Sequence, residues 1–373
     1  MPRKTSACSV RRWRQGCWNW VCRNRRRRSS PVSQTASRFA GQVDQAWLDR
    51  VIEPVLEPEL PIIDPHHHLW VREGNVYLLP ELLADLGSGH NVVATVFEEC
   101  HSMYRATGPE EEKSLGETAF VTGIAAMGAS GTCGPSLVCA RMVGNVDLRT
   151  GDRARGLLER HLVASGGRFA GIRHSTAWDG SDRIHKVVPT PGLLADSAFR
   201  AGFAGLAALG LVFDAWVYHP QIGEVAGLAD AFPHTPIVLN HVGSPILGGP
   251  YAADRAKVFD DWKAGMADLA KRPNVTVKLG ALPIRLPGVG AGSRELPPGS
   301  EEVAAAWRPW LETSIALFGA DRCMFESNFP VQKRWSSYQV TWNAFKRIAS
   351  GASGDEKAAL FAGTAAGVYG LSL

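Results

Sequence analysis

Nowhere among the 373 residues does an apolar run approach the roughly 18 needed to cross a bilayer, so no membrane span is expected. The chain has seven cysteines and not one CxxC pair, which argues against a zinc ribbon or a disulfide framework. Cys100, Cys133, Cys139 and Cys323 sit singly in apolar or loop settings, which suits reduced thiols in the cytoplasm, and no cysteine nucleophile is indicated. A Gly-rich dinucleotide fingerprint is missing after the first strand candidate, which weighs against a doubly wound open sheet. Acidic residues are absent from the first 30 positions, which carry 10 Arg or Lys.

That charge gap biases the whole-chain balance. The formal charge is +4, yet beyond the first 30 residues 30 basic side chains face 36 acidic ones. The body is mildly acidic and is expected to bind no nucleic acid. The segment running to Arg25-Arg26-Arg27-Arg28, with Trp13, Trp18 and Trp20, is dense enough in arginine to grip an anionic polymer or lipid nonspecifically. Its reading as an extension is stronger. Arg11-Arg12 matches the start of a twin-arginine signal, but no apolar core of about 7–15 residues follows, so no export is expected. Residues 1–45 are therefore read as a disordered basic extension and 46–373 as one folded domain.

What is present is a repeat of short β-branched runs, each ending on a polar residue and followed by an Ala/Leu-rich helical stretch. The strand candidates cover 61–66, 92–99, 137–147, 170–174, 211–218, 236–241, 274–279 and 322–328. Helical patterns at 157–164, 197–209, 222–231, 255–271 and 302–318 separate many of them. Eight alternating units at this length predict an α/β fold, a closed (β/α)8 TIM barrel. With 45% hydrophobic residues the chain has enough apolar mass for one such core, and no second core is visible.

Chemistry in such a barrel gathers at the carboxyl ends of the strands. The stretch Asp64-Pro65-His66-His67-His68-Leu69-Trp70 closes the first strand, and strand alternation puts His66 and His68 on one face with His67 on the other. Two imidazoles on one face can share a metal, and a catalytic zinc takes about three protein ligands plus water. Further polar residues end the other strands: Glu98, Glu99 and His101; Asp147; Arg173 and His174; His219; His241; Lys278; Glu326 and Asn328. Singly, each is what a hydrogen-bonded structural residue looks like. Their coincidence at strand ends points to a site.

The His-x-His of strand one, His219-Pro220-Gln221, Asn240-His241-Val242-Gly243, Val277-Lys278-Leu279-Gly280 and Met324-Phe325-Glu326-Ser327-Asn328-Phe329-Pro330-Val331 together resemble the amidohydrolase superfamily. Within it the chain resembles the amidohydrolase-related branch of metal-dependent TIM-barrel hydrolases that includes sugar-acid and pyrone-dicarboxylate lactonases. The resemblance implies that His66, His68 and His219 hold a divalent metal, Zn or Mn, and that His241 lies near substrate or water. The branch's strand-eight aspartate falls on Asn328, whose amide offers a neutral oxygen and no base. Either Glu326, with the same strand parity, supplies the missing acid, or Glu98 or Glu99 reaches in, or the hydrolytic mechanism has been lost.

The expected reaction is attack of water on the carbonyl of a lactone or similar cyclic ester, with Asn328, Glu326 and His241 as the catalytic group. Arg173, His174, Lys278, Glu99 and Tyr104 are expected to bind a small carboxylated substrate, with Arg105 as a further rim cation, whereas Arg285, in a Pro/Gly-rich loop, is read as a solvated surface residue. The segments 100–117 and 283–299 are long enough to be lids. A decarboxylase of the same superfamily and a non-catalytic ligand-binding barrel are the alternatives. A small molecule is the expected partner, and the choice between monomer and homo-oligomer stays open.

Overall fold

A computed structural model describes residues 43–282 and 294–372. Most of the expected extension at 1–45, Arg285 and most of the 283–299 loop lie outside the described residues. The strands in chain order are β1 (Ile62–His67), β2 (Trp70–Arg72), β3 (Asn75–Tyr77), β4 (Val92–Glu98), β5 (Leu137–Gly144), β6 (Phe169–Arg173), β7 (Val212–Ala215), β8 (Ile237–Leu239), β9 (Val275–Leu279) and β10 (Cys323–Phe325). Eight of them form one parallel sheet in the order β1-β4-β5-β6-β7-β8-β9-β10, while β2 and β3 make a separate antiparallel hairpin. The sheet closes where Asn328 N–H donates to His66 O at 2.9 Å and His68 N–H donates to Phe329 O at 2.7 Å. This is the (β/α)8 barrel that the sequence predicts.

The strands read as apolar runs because both faces are covered. Ile62, Phe97, Phe213, Ile237, Leu239, Val275, Val277 and Phe325 face the helices, whereas Ile63, Ala94, Val96, Val143, Val212, Val238 and Met324 fill the lower barrel. Ala362, Ala365, Ala366 and Tyr369, near the carboxyl end of the chain, join that inner cluster as a floor, where small side chains admit close packing. The same alternation decides the polar positions. Inward parity places Glu98 above Val96, Asp214 above Val212, Asn240 above Val238 and Glu326 above Met324.

Caps start the helices where the sequence places acids or serines. Asp196 accepts from Phe199 N–H, Asp254 from Lys257 N–H and Ser337 from Val340 N–H, each contributing about 1 kcal/mol. Several strands stop earlier than the apolar runs suggest. β7 ends at Ala215, β8 at Leu239 and β10 at Phe325, because the following residues leave the ladder. His241, Val242 and Asn328 adopt positive φ of 56°, 46° and 53°. Asn tolerates that region, but β-branched Val242 does not adopt it readily, so backbone strain is concentrated where the site lies.

Candidate active site

Glu326 is the centre of the barrel mouth. Its Oε1 accepts from His241 N–H at 3.1 Å and lies 2.7 Å from His241 Nδ1, while Oε2 lies 2.7 Å from His66 Nδ1. The latter contact lacks hydrogen-bond geometry, and Oε2 has no hydrogen-bond partner among the described residues. All three side chains are buried, and one ligating atom from each lies within 4.8 Å of the others. Gly280 makes room for this carboxylate: a Cβ there would sit 2.3 Å from Glu326 O and 2.7 Å from its Cγ. The glycine of the Val-Lys-Leu-Gly motif is thus a steric requirement of the acid on the next strand.

Two cations flank His66. Arg173 Nη1 lies 3.3 Å from its Nε2, and Lys278 Nζ lies 3.4 Å from its Nδ1. Burial first, then the Lys278 charge, holds this imidazole well below its usual pKa, so it is neutral and has one lone pair. Arg173 also pairs with Glu99 Oε1 at 2.8 Å and Glu98 Oε1 at 3.4 Å. Lys278 pairs with Glu98 Oε2 at 2.9 Å and Asp214 Oδ2 at 2.6 Å. Four carboxylates, Glu98, Glu99, Asp214 and Glu326, therefore face two fixed cations. Burial first, then the nearby Asp214, pushes the Glu98 carboxyl up, so it holds a proton more readily than an exposed glutamate.

Two buried acids that the sequence reading gave no role shape this arrangement. Asp64 accepts from Ser327 N–H at 3.1 Å, Ser327 Oγ at 2.6 Å, Tyr338 OH at 3.0 Å and His66 N–H at 3.3 Å. It ties the end of β1 to the turn after β10, bringing His66 and Glu326 together; burial nevertheless pushes its carboxyl up to about 6. Asp214 accepts from Lys278, from Asn240 Nδ2 at 2.9 Å and from Tyr369 OH at 3.0 Å. An acid inside the apolar run Val212-Phe213-Asp214-Ala215 is the signal that marked it, because a buried charge in a strand requires a partner.

The other expected residues are distributed around this centre. His66 and His68 share the mouth with ring centroids 5.0 Å apart, and His67 turns away to Thr95 Oγ1 at 2.9 Å. His68 Nδ1 lies 2.8 Å from Glu98 O and its Nε2 lies 3.1 Å from Asn328 Oδ1. A backbone carbonyl only accepts, so the one proton of neutral His68 is on Nδ1 and Nε2 carries a lone pair. The Asn328 amide oxygen, an acceptor, faces this lone pair, so neither group donates to the other. An aspartate at 328 would need a proton or a metal between the two groups.

His219 is not one of the three residues whose ligating atoms converge; its Nδ1 accepts from Ile246 N–H at 3.2 Å and its ring packs edge-on against Tyr251. His174 accepts from Leu148 N–H at 3.2 Å, and burial lowers it to about 4. Half-buried Tyr104 meets His101 Nδ1 at 3.2 Å near the rim. Asp147 holds Arg149, Arg105 lies 4.0 Å from Glu112, and both pairs are largely solvated.

These residues fit a divalent cation. Two imidazoles and an anionic carboxylate are an ordinary ligand set for zinc or manganese, the charge deficit asks for a cation, and Glu326 Oε2 is buried without a donor. Among the described residues no helix is long and apolar enough to cross a membrane.

The amidohydrolase family model matches residues 63–371. The uncharacterized protein y4mH of Sinorhizobium fredii is 33% identical over 333 residues, covering 83% of this chain and 99% of the relative. L-fucono-1,5-lactonase of Burkholderia multivorans is 28% identical over 330 residues, covering 83% of this chain and 96% of the lactonase. An amidohydrolase from Burkholderia multivorans with bound zinc aligns with a TM-score of 0.62 at 26% identity, covering 83% of this chain and 99% of that one. The match takes in every barrel strand, save Ile62 at the start of β1, and every side chain assembled at the mouth, so the chain belongs to the amidohydrolase family.

Proposed function

We propose that this protein is a metal-dependent hydrolase that opens a lactone or similar cyclic ester of a small carboxylated molecule by attack of water. The observation that carries the reading is the convergence of His66, His241 and Glu326 beside Arg173 at the carboxyl end of the barrel. The likeness to a lactonase and to a zinc-bound amidohydrolase supports it. His66, His241 and Glu326 would hold a zinc or manganese ion, which when bound supplies Lewis acidity to a carbonyl and lowers the pKa of water.

The chain's own residues do the rest. Glu326 is fixed through Oε1 by the His241 N–H and ring, which orients its carboxylate to take a proton from the attacking water. Arg173 is nearly buried and fixed by Glu99, which pre-organises its guanidinium to hold a substrate carboxylate or a developing oxyanion beside His66. Trp216, with the Arg173 guanidinium 5.7 Å from its ring, offers a flat apolar wall for a ring substrate. Lys278 is wholly enclosed and acts electrostatically rather than by touching substrate. A panel of lactones, cyclic esters and aromatic carboxylates tests the proposal, with acid release and carbon dioxide release followed together. Acid release from a lactone without carbon dioxide is the expected result; carbon dioxide from a carboxylate with no lactone turnover would overturn it.

A further inference from the structure

The buried ammonium of Lys278 occupies a slot shaped for a cation. Glu98 Oε2 and Asp214 Oδ2 approach it to 2.9 and 2.6 Å, His66 Nδ1 lies at 3.4 Å, and the Tyr369 ring centroid lies 5.2 Å away. Asp214 is itself aimed at the slot by Asn240 and Tyr369. The second oxygen of Glu98, Oε1, lies 3.4 Å from Arg173 Nε and is buried with no hydrogen-bond partner among the described residues, so its carboxylate has ligand capacity that the lysine does not use. Glu98, Asp214 and Lys278 are all fully buried, and removal of the ammonium alone would leave two facing carboxylates in a dry site.

We infer that Lys278 is a tethered cation standing in a site that Glu98 and Asp214 would otherwise offer to a divalent metal ion. It thereby limits the barrel to one metal. The inference rests on the proposed single-metal site of His66, His241 and Glu326. Two facing carboxylates are anionic oxygen donors that zinc or manganese takes readily, at metal–ligand distances of about 2.0–2.2 Å, while the single lone pair of His66 stays with the first site. An ammonium satisfies the same oxygens at hydrogen-bond distance with one positive charge and no open coordination position. A lysine here therefore balances the carboxylates without creating a second Lewis acid next to the first.

Lys278→Met removes the charge and keeps the stem volume, and Lys278→Gln also keeps donors to the two carboxylates. Both are loaded with manganese, passed through a desalting column and measured for metal by mass spectrometry and for metal–metal coupling by electron paramagnetic resonance. The unmodified protein is expected to retain about one equivalent with an uncoupled spectrum, and the variants about two equivalents with a coupled one. One equivalent in every protein, or two in the unmodified one, would overturn the inference while leaving the single-metal reading in place. No retained metal in the unmodified protein would reject the underlying site and the inference with it. Where a variant does not fold alone, folding in the presence of manganese is the expected outcome, because the metal then replaces the missing charge; failure to fold with or without manganese counts against it.

Discussion

Asn328 illustrates how a single atom redirects a site. Its neutral amide sets an oxygen rather than an anion 3.1 Å from His68 Nε2, and the three ligating atoms that converge belong to His66, His241 and Glu326 instead. Asn328→Asp reverses this. The φ of 53° suits aspartate as well as asparagine, so folding should be unaffected. The new carboxylate against Nε2 requires a cation, and metal affinity read by competition with a chelator should rise by roughly tenfold or more. Unchanged affinity would mean that residue 328 does not face the metal. Glu326→Gln keeps the shape of the side chain but loses the base and the anionic ligand. Turnover of the substrate identified in the panel should fall by about 10²–10⁴ with little change in melting temperature. A fall of less than threefold would remove Glu326 from the chemistry.

At the scale of elements, Gly280 couples β9 to the turn after β10. Gly280→Ala forces a Cβ into Glu326 O and Cγ, so the acid must move. The expected cost is about 1–3 kcal/mol in denaturant unfolding, together with weakened metal retention. Wild-type metal affinity in a destabilised variant would show that the displacement is absorbed elsewhere. The barrel itself was legible, because runs such as Val92 to Phe97 and Val275 to Val277 are β-branched, doubly buried and spaced by helical patterns. Strand parity also put Glu326 on the face expected of Asn328. What the sequence could not display was the left-handed backbone at His241 and Asn328, which swings these residues off the ladder and out of strand alternation. Nor could spacing show that His219 would turn to the Ile246 amide, a contact made by a loop 27 residues further along. Asp64 and Asp214 were readable in principle as acids within apolar runs, but their roles depend on partners from four other elements.

Over the whole molecule, seven buried imidazoles are held neutral. Burial lowers His67 to about 3 and His90, His161, His174 and His219 to about 4, and takes His66 and His68 well below the usual range. For each, the unfolded chain takes up its proton near pH ~6.5 before the folded protein does, so stability is lost as the pH falls below that value. Asp64, Glu98 and Glu117 act in the opposite sense. Burial raises them, so the folded state binds their protons first and gains stability on acidification. Below pH ~6 the imidazoles outnumber the carboxyls, and the metal-free protein should lose several degrees of melting temperature between pH ~6.5 and ~5. Calorimetry in low-salt buffer reads this directly, and a melting temperature that is flat or rising over that window would show that the carboxyls dominate.

The most direct measurement is metal content of three purified proteins loaded with zinc under one protocol: the unmodified chain, Glu326→Gln and His219→Ala. If His66, His241 and Glu326 hold the ion, the unmodified chain and His219→Ala should each retain about one equivalent, and Glu326→Gln well under half of one. Full retention by Glu326→Gln with loss in His219→Ala would contradict the site and return the ligands to the histidine set of the sequence motif.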